Sequence, residues 1–321
     1  MKLQLVLAFI TISAVLGSMG PFDPEEMLFI FTRCMEDNLI DGPTRLSMLV
    51  KWKEWTGEPA DNIATHCFGK CILESTGMYD PTAEKFDSNV ILEQYNAYQT
   101  LAEKNKVDEY ANAVEQLPST KNDCTAVFNA YDPVHKAHKD TSRNLFHGNK
   151  DLTKSIYEEL EGRIRQKDQS YFEYCENRYY PVGSDQRQQL CNIRQYVVLD
   201  DALFKEHTDC IMKGVRYITK DNKLNRNEIE RDFKLVGKDT EALGKILDAC
   251  QSDEPNDVKE ISWHYYKCLV ESSVADNFKE AFDYREVRTQ DYAYNLVKKQ
   301  LYSRPTVQSQ VMEIDGKQCP S

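Results

Sequence analysis

Asp283 and Glu286 stand three residues apart in the segment Ala281-Phe282-Asp283-Tyr284-Arg285-Glu286. On a helix that spacing puts both carboxylates on one face, where together they can bracket an ammonium group. A buried ammonium has to be paired and hydrogen-bonded, because an isolated buried charge is prohibitively costly. Phe282 and Tyr284 offer aromatic walls, or a ring face for the cation. His207 lies one turn before Cys210, and Tyr266 two residues before Cys268, so bridged cysteines would tether both. Arg194 follows Cys191 closely. These three side chains carry the mixed donors and acceptors that aromatic hydroxyls require. A plainer reading is also open: Asp283, Arg285, Glu286 and Arg288 can form a solvated, salt-bridged helix face. Spacing alone does not separate the two.

Other chemistry is hard to find. The chain has no Gly-x-Ser-x-Gly elbow, no phosphate-binding Walker loop and no dinucleotide fingerprint. Asp221 to Asp232 has the length of a calcium-binding loop. It fails at Lys223, where an oxygen ligand is needed, and at Arg226, where the sharp turn wants glycine. His135, His138 and His147 lie in a lysine-rich polar stretch and read as solvated side chains rather than metal ligands. No catalytic residue, metal or cofactor is expected, and the chain reads as a binding protein rather than an enzyme.

The cysteines set the compartment. There are 10, an even number. No Cys-x-x-Cys pair suggests zinc, so five disulfides of a secreted protein are expected. The N-terminus agrees. Lys2 precedes an apolar stretch from Leu5 to Leu16, followed by small residues at Gly17, Ser18 and Gly20. This is a signal-peptide pattern, with residues 1–18 removed, and its apolar run falls short of the about 20 residues of a membrane span.

The rest is dense in helical signals. Asp23-Pro24-Glu25-Glu26 combines an N-cap, a proline at the first helical position and a capping-box acid. Met27, Leu28, Phe31, Cys34 and Met35 then recur with helical period. Helical patterns continue over Asn62–Ser75, Val90–Ala102, Val107–Leu117, Leu152–Ile164, Gln186–Val198, Asp239–Cys250 and Val258–Ser273, with a long one from Asp276 to about Tyr302. Strand-length alternation is nearly absent, so the fold class is all-α.

The two halves of the chain repeat. Cys34 and Cys71 are separated much as Cys175 and Cys210 are, and Cys71-Ile72-Leu73-Glu74 resembles Cys210-Ile211-Met212-Lys213. A duplicated module fits, and about 300 mature residues suit two domains better than one. The expected domains are residues 19–160 and 161–321. The connector Asn149–Gln169 is helical and charged, so the domains are expected to pack together. If Cys34–Cys71 is equivalent to Cys175–Cys210, Cys67 is left for Cys124. Cys250–Cys268 and Cys191–Cys319 then complete one set. The six cysteines of the second half permit fifteen pairings, and the matched gaps favour this one without excluding the others.

A net charge of −12 excludes a nucleic-acid partner, which needs a basic face, and an anionic membrane surface as well. It favours small cationic ligands.

A secreted helical module with one cysteine in its first helix and a later Cys-x-x-x-Cys helix resembles the insect odorant-binding-protein superfamily. Two such modules in tandem resemble the long-form salivary D-seven (D7) proteins of blood-feeding mosquitoes, those of Aedes in particular. The element Trp52-Lys-Glu-Trp55-Thr-Gly57, the Cys67–Cys71 helix and Asp283-x-x-Glu286 carry the resemblance, which spans the whole mature chain. The first half departs from ordinary odorant binders in having four cysteines rather than six.

The resemblance implies the same five bridges and a monomeric saliva protein that sequesters host mediators. Cysteinyl leukotrienes would occupy the N-terminal domain, and biogenic amines (serotonin, noradrenaline, histamine) the C-terminal one. The implied amine site comprises Arg194, His207, Tyr266, Phe282, Asp283 and Glu286. For the lipid, Trp52, Trp55 and Phe128 can form apolar walls, and Arg163 and Lys167 on the connector can meet its carboxylate. Trp and Phe at such spacings are more often plain core. The competing function is an acidic interaction protein that binds a host or pathogen macromolecule. Burial of Asp283 and Glu286 discriminates the two.

Overall fold

The computed structural model describes residues 21–167, 169–289 and 302–319. The expected leader and the stretch 290–301 of the long C-terminal helix lie outside the described residues. The chain divides into two compact units, residues 1–153 and 154–321. Among the described residues no helix is long and apolar enough to cross a membrane.

The first unit begins with α1 (Pro24–Asn38). Asp23 accepts from the backbone of Glu25 and Glu26 at 2.8 and 2.9 Å, and Glu26 reaches back to the Asp23 N–H. This reciprocal cap satisfies N–H groups that the first turn leaves open. There follow α2 (Arg45–Lys53) and α3 (Ile63–Ser75), the latter capped by Asn62. A small antiparallel ribbon, β1 (Tyr79–Asp80) and β2 (Lys85–Phe86), pairs Tyr79 with Phe86. Next come α4 (Asn89–Ala97), α5 (Lys104–Glu115) and α6 (Cys124–Leu145). Helix α3 packs on α1 and α6, and α5 on α4 and α6. Ile91, Val107, Tyr110, Val114, Val127 and Leu145 are fully buried between them. Cys34–Cys71 ties α1 to α3, and Cys67–Cys124 ties α3 to α6.

Helix α6 corrects two expectations. The sequence pattern placed no helix there, because Pro133 interrupts it, its composition is polar, and its geometry breaks at His138. The histidines are also less solvated than their surroundings suggested. His135 and His147 meet the backbone carbonyls of Trp55 and Phe22, each at 2.9 Å, and burial lowers the pKa of His147 to about 4. Helix α7 (Lys150–Glu159) spans the division between the units.

The second unit comprises α8 (Tyr171–Tyr179), α9 (Arg187–Arg194), α10 (Ala202–Gly214), α11 (Arg226–Leu235), α12 (Thr240–Ser252), α13 (Ile261–Val270), α14 (Ala275–Thr289) and α15 (Arg304–Gln318). Helix α10 packs on α8 and α13, and α14 on α11, α13 and α15. Bridges Cys175–Cys210, Cys250–Cys268 and Cys191–Cys319 join α8 to α10, α12 to α13, and α9 to the end of α15.

Helix α14 does not expose its arginines. Arg285 and Arg288 are buried and converge on Asp232 of α11, at 3.5 and 2.9 Å. Tyr217 adds a hydroxyl to the same carboxylate at 2.8 Å. The solvated salt-bridge reading of these arginines is therefore overturned: a buried guanidinium has to be paired within the protein.

Candidate ligand-binding sites

The second unit holds a pocket formed by α8, α9, α10, α13 and α14. Helix α10 supplies Phe204, His207, Thr208, Ile211 and Met212, positions that recur at three- and four-residue steps. Asp201 caps this helix through the Phe204 N–H, at 2.9 Å. The disulfide Cys175–Cys210 fixes α10 against α8, which contributes Phe172 and Glu176. Helix α14 presents Phe282, Asp283 and Glu286, and α13 presents Tyr266. Phe282 is the aromatic hub, its ring 4.8 Å from Phe172, 5.1 Å from Phe278 and 6.0 Å from Tyr266.

The pocket's electrostatics are unbalanced. Arg194 is the one permanent cation among the described residues that line it, against Glu176, Asp283 and Glu286. Arg194 donates to Glu176 and Glu286, and also to Asp315 of α15. Asp283 accepts instead from the hydroxyl of Tyr196. Tyr196 reaches it because its backbone turns into the left-handed region at φ 63°. Burial raises the pKa of Asp283 to about 6, opposed by the Tyr196 hydrogen bond. Burial raises Glu286 and Glu176 too, and the Arg194 charge opposes it in both. Carboxylates held this way gain from a further cation.

His207 is buried, and neither ring nitrogen has a hydrogen-bond partner among the described residues. Tyr180 stands edge-on to it, with ring centroids 5.1 Å apart. Desolvation, aided by the Arg194 charge, lowers its pKa to about 3, so the ring is neutral at physiological pH. A neutral imidazole offers one donor and one acceptor, which matches a hydroxyl group.

The first unit holds a second pocket, with mostly apolar walls. Trp52 stacks on Phe68 at 4.3 Å and donates to Thr65 at 3.2 Å. Trp55 lies 4.3 Å from Phe31 and rests directly on Gly148, where an added Cβ would come within 2.5 Å of the indole. Phe128 covers Gly69 in similar fashion. Tyr131, Asp132, His135 and Ser142 of α6 supply polar groups to the lining, together with Thr65 and Thr76.

Comparison with known proteins identifies the scaffold. The PBP/GOBP family matches twice, over residues 23–137 and 158–272. The long form salivary protein D7L1 of Aedes aegypti is 72% identical over 320 residues, covering 100% of both chains. The chain belongs to the PBP/GOBP family, among its long-form salivary D7 proteins. A solved AeD7–leukotriene E4 complex is 73% identical with a TM-score of 0.88, covering 89% of this chain and 96% of that one. A solved AnSt-D7L1–U46619 complex is 32% identical with a TM-score of 0.80, covering 92% and 97%.

Within this D7 scaffold, Arg194, His207, Tyr266, Phe282, Asp283 and Glu286 all line the pocket of the second unit. Arg194 is committed to carboxylates rather than turned toward a ligand hydroxyl. Tyr284 is buried against Tyr302 instead, with ring centroids 5.2 Å apart. Trp52, Trp55 and Phe128 line the first pocket, whereas Arg163 and Lys167 are absent from its lining. Arg163 is exposed and bonds the Glu159 carbonyl at 2.7 Å, and Lys167 sits 4.8 Å over the Tyr157 ring. Glu176 and Tyr196 had not been singled out from the sequence. Glu176 adjoins Cys175, so the tether that pointed to His207 pointed equally to it.

Proposed function

We propose that this chain is a secreted salivary scavenger that holds small host mediators stoichiometrically, without turnover. Biogenic amines occupy the second unit and cysteinyl leukotrienes the first. The observation that carries the amine reading is the surplus of carboxylates lining the second pocket, Glu176 and Glu286 buried and Asp283 half-buried. Asp283 and Glu286 face it beside Glu176, with Arg194 as the opposing cation. A ligand ammonium between Asp283 and Glu286 corrects that imbalance, and the rings of Phe282 and Tyr266 enclose its aromatic part. The ring hydroxyl lies toward His207, one of whose unpaired nitrogens gains a partner.

The lipid reading rests on the aromatic walls of the first pocket and on the relatives' complexes. One relative was solved with leukotriene E4 and another with U46619. The salivary relatives support secretion into saliva, where such binding would counter haemostasis and inflammation during blood feeding. The macromolecule-binding alternative needs Asp283 and Glu286 on the surface, and Glu286 is 3% exposed.

Calorimetric titration of the full chain with serotonin and, separately, leukotriene E4 tests the scheme. Each is expected to bind once, with its affinity unchanged when the other is present. Mutual displacement would refute separate pockets, and absence of serotonin binding would refute the amine assignment.

A further inference from the structure

The ionisable side chains that line the first unit's pocket lie along one stripe. Phe128, Tyr131, Asp132 and His135 follow at i, i+3, i+4 and i+7 on α6, so a single helix face carries them into the lining. Lys136, half-exposed, donates to Oδ2 of Asp132 at 2.7 Å. The other oxygen, Oδ1, is buried and has no hydrogen-bond partner among the described residues. It also lies where a side chain on residue 57 would intrude, 3.3 Å from the Cβ that Gly57 lacks.

Nearby polar groups are already engaged. His135 uses Nε2 on the Trp55 carbonyl, at 2.9 Å, and burial lowers its pKa, which keeps the ring neutral. The hydroxyl of Tyr131 is hydrogen-bonded to that of Tyr110. A buried carboxylate oxygen without a donor is costly, and the cost is recovered when a ligand brings one.

We propose that Asp132 makes this pocket discriminate by headgroup, favouring lipids that bear an ammonium or hydroxyl donor over simple fatty acids. The inference rests on the lipid reading of the first unit. A fatty carboxylate brings only acceptors and a like charge toward Oδ1. A cysteinyl lipid also carries carboxylates, but it adds an ammonium group that closes the open hydrogen bond and meets an opposite charge. The apolar walls accept both chains alike, so the discrimination resides in the head.

The test compares leukotriene E4 with arachidonate on the full chain, by competition against a fluorescent fatty-acid probe. The native chain is expected to prefer leukotriene E4. Asp132→Asn keeps the shape and removes the charge. It should narrow the preference about tenfold or more, the scale of one charge-assisted hydrogen bond, by weakening the first ligand and strengthening the second. Asp132→Ser, shorter and also uncharged, should narrow it as well, and circular dichroism checks that each variant keeps its helices. A preference unchanged in both folded variants overturns the role of Asp132 and leaves the lipid reading standing. A native chain that binds neither lipid overturns the lipid reading itself, and this inference with it.

Discussion

Arg194 donates through one nitrogen, Nη2, to both carboxylate oxygens of Glu286, at 3.1 and 3.0 Å. Glu286 is thus oriented and partly neutralised before any ligand arrives. Asp283, one turn away, has a phenol for a partner and keeps its charge uncompensated. An entering ammonium therefore finds one carboxylate already positioned by a guanidinium and another with its charge still available. The two contribute differently: Glu286 by orientation, Asp283 by charge.

Replacing both residues, Asp283→Asn with Glu286→Gln, removes the two charges and preserves the shape. Charge-assisted hydrogen bonds contribute about 1.5–3 kcal/mol each, so serotonin affinity should fall about 100-fold or more. Leukotriene E4 affinity, measured on the same sample, should be unchanged. Serotonin binding within a few-fold of native would place the amine site elsewhere.

Amine binding should weaken as pH falls. The ionised form of Asp283 binds the cation, and in the empty pocket its pKa stands at about 6. Affinity should therefore decline as pH drops through it, and the raised pKa of Glu286, at about 8, starts the decline at higher pH. His207 adds nothing in this window, because its pKa lies far below, at about 3. Binding the cation should expel a fraction of a proton near pH 6, visible as buffer-dependent calorimetric heat. Asp283→Asn should reduce that release, and equal proton release by the variant would count against the assignment.

His207 should distinguish hydroxylated amines from bare ones. His207→Phe removes both unpaired nitrogens and keeps an aromatic side chain against Tyr180. Serotonin should lose about tenfold, the scale of one or two neutral hydrogen bonds, while tryptamine, which lacks the hydroxyl, should lose little. Parallel losses for both amines would mean that the imidazole does not meet the hydroxyl. Thermal stability should be maintained or improved, since unsatisfied buried polar atoms disappear.

Gly148 offers a separate handle on the first pocket. An alanine there would press its methyl group into the Trp55 indole, which must shift. Overpacking of this kind costs about 1–3 kcal/mol. Gly148→Ala should lower lipid affinity and leave serotonin binding intact. Native lipid affinity in the variant would show that Trp55 is not a wall the ligand needs.

Legibility from sequence followed local geometry. The helical period around 276–289 made the shared face of Asp283 and Glu286 readable, and nearby cysteines drew attention to His207, Tyr266 and Arg194. Tyr196 was not readable in this way, because its reach depends on a single left-handed backbone angle. The pocket face of α6 was hidden by its own composition: Pro133 and the surrounding lysines and histidines obscure a stripe that begins at Phe128.

Each of the five disulfides closes within its own unit: two lie wholly before residue 153 and three wholly after it. Between Cys124 and Cys175 the backbone is the only covalent thread. One cut by a host protease between Phe146 and Phe172 would yield two separate polypeptides, each keeping its full set of cross-links and the residues that line its own pocket. Damage at the junction would then halve the molecule without opening either container.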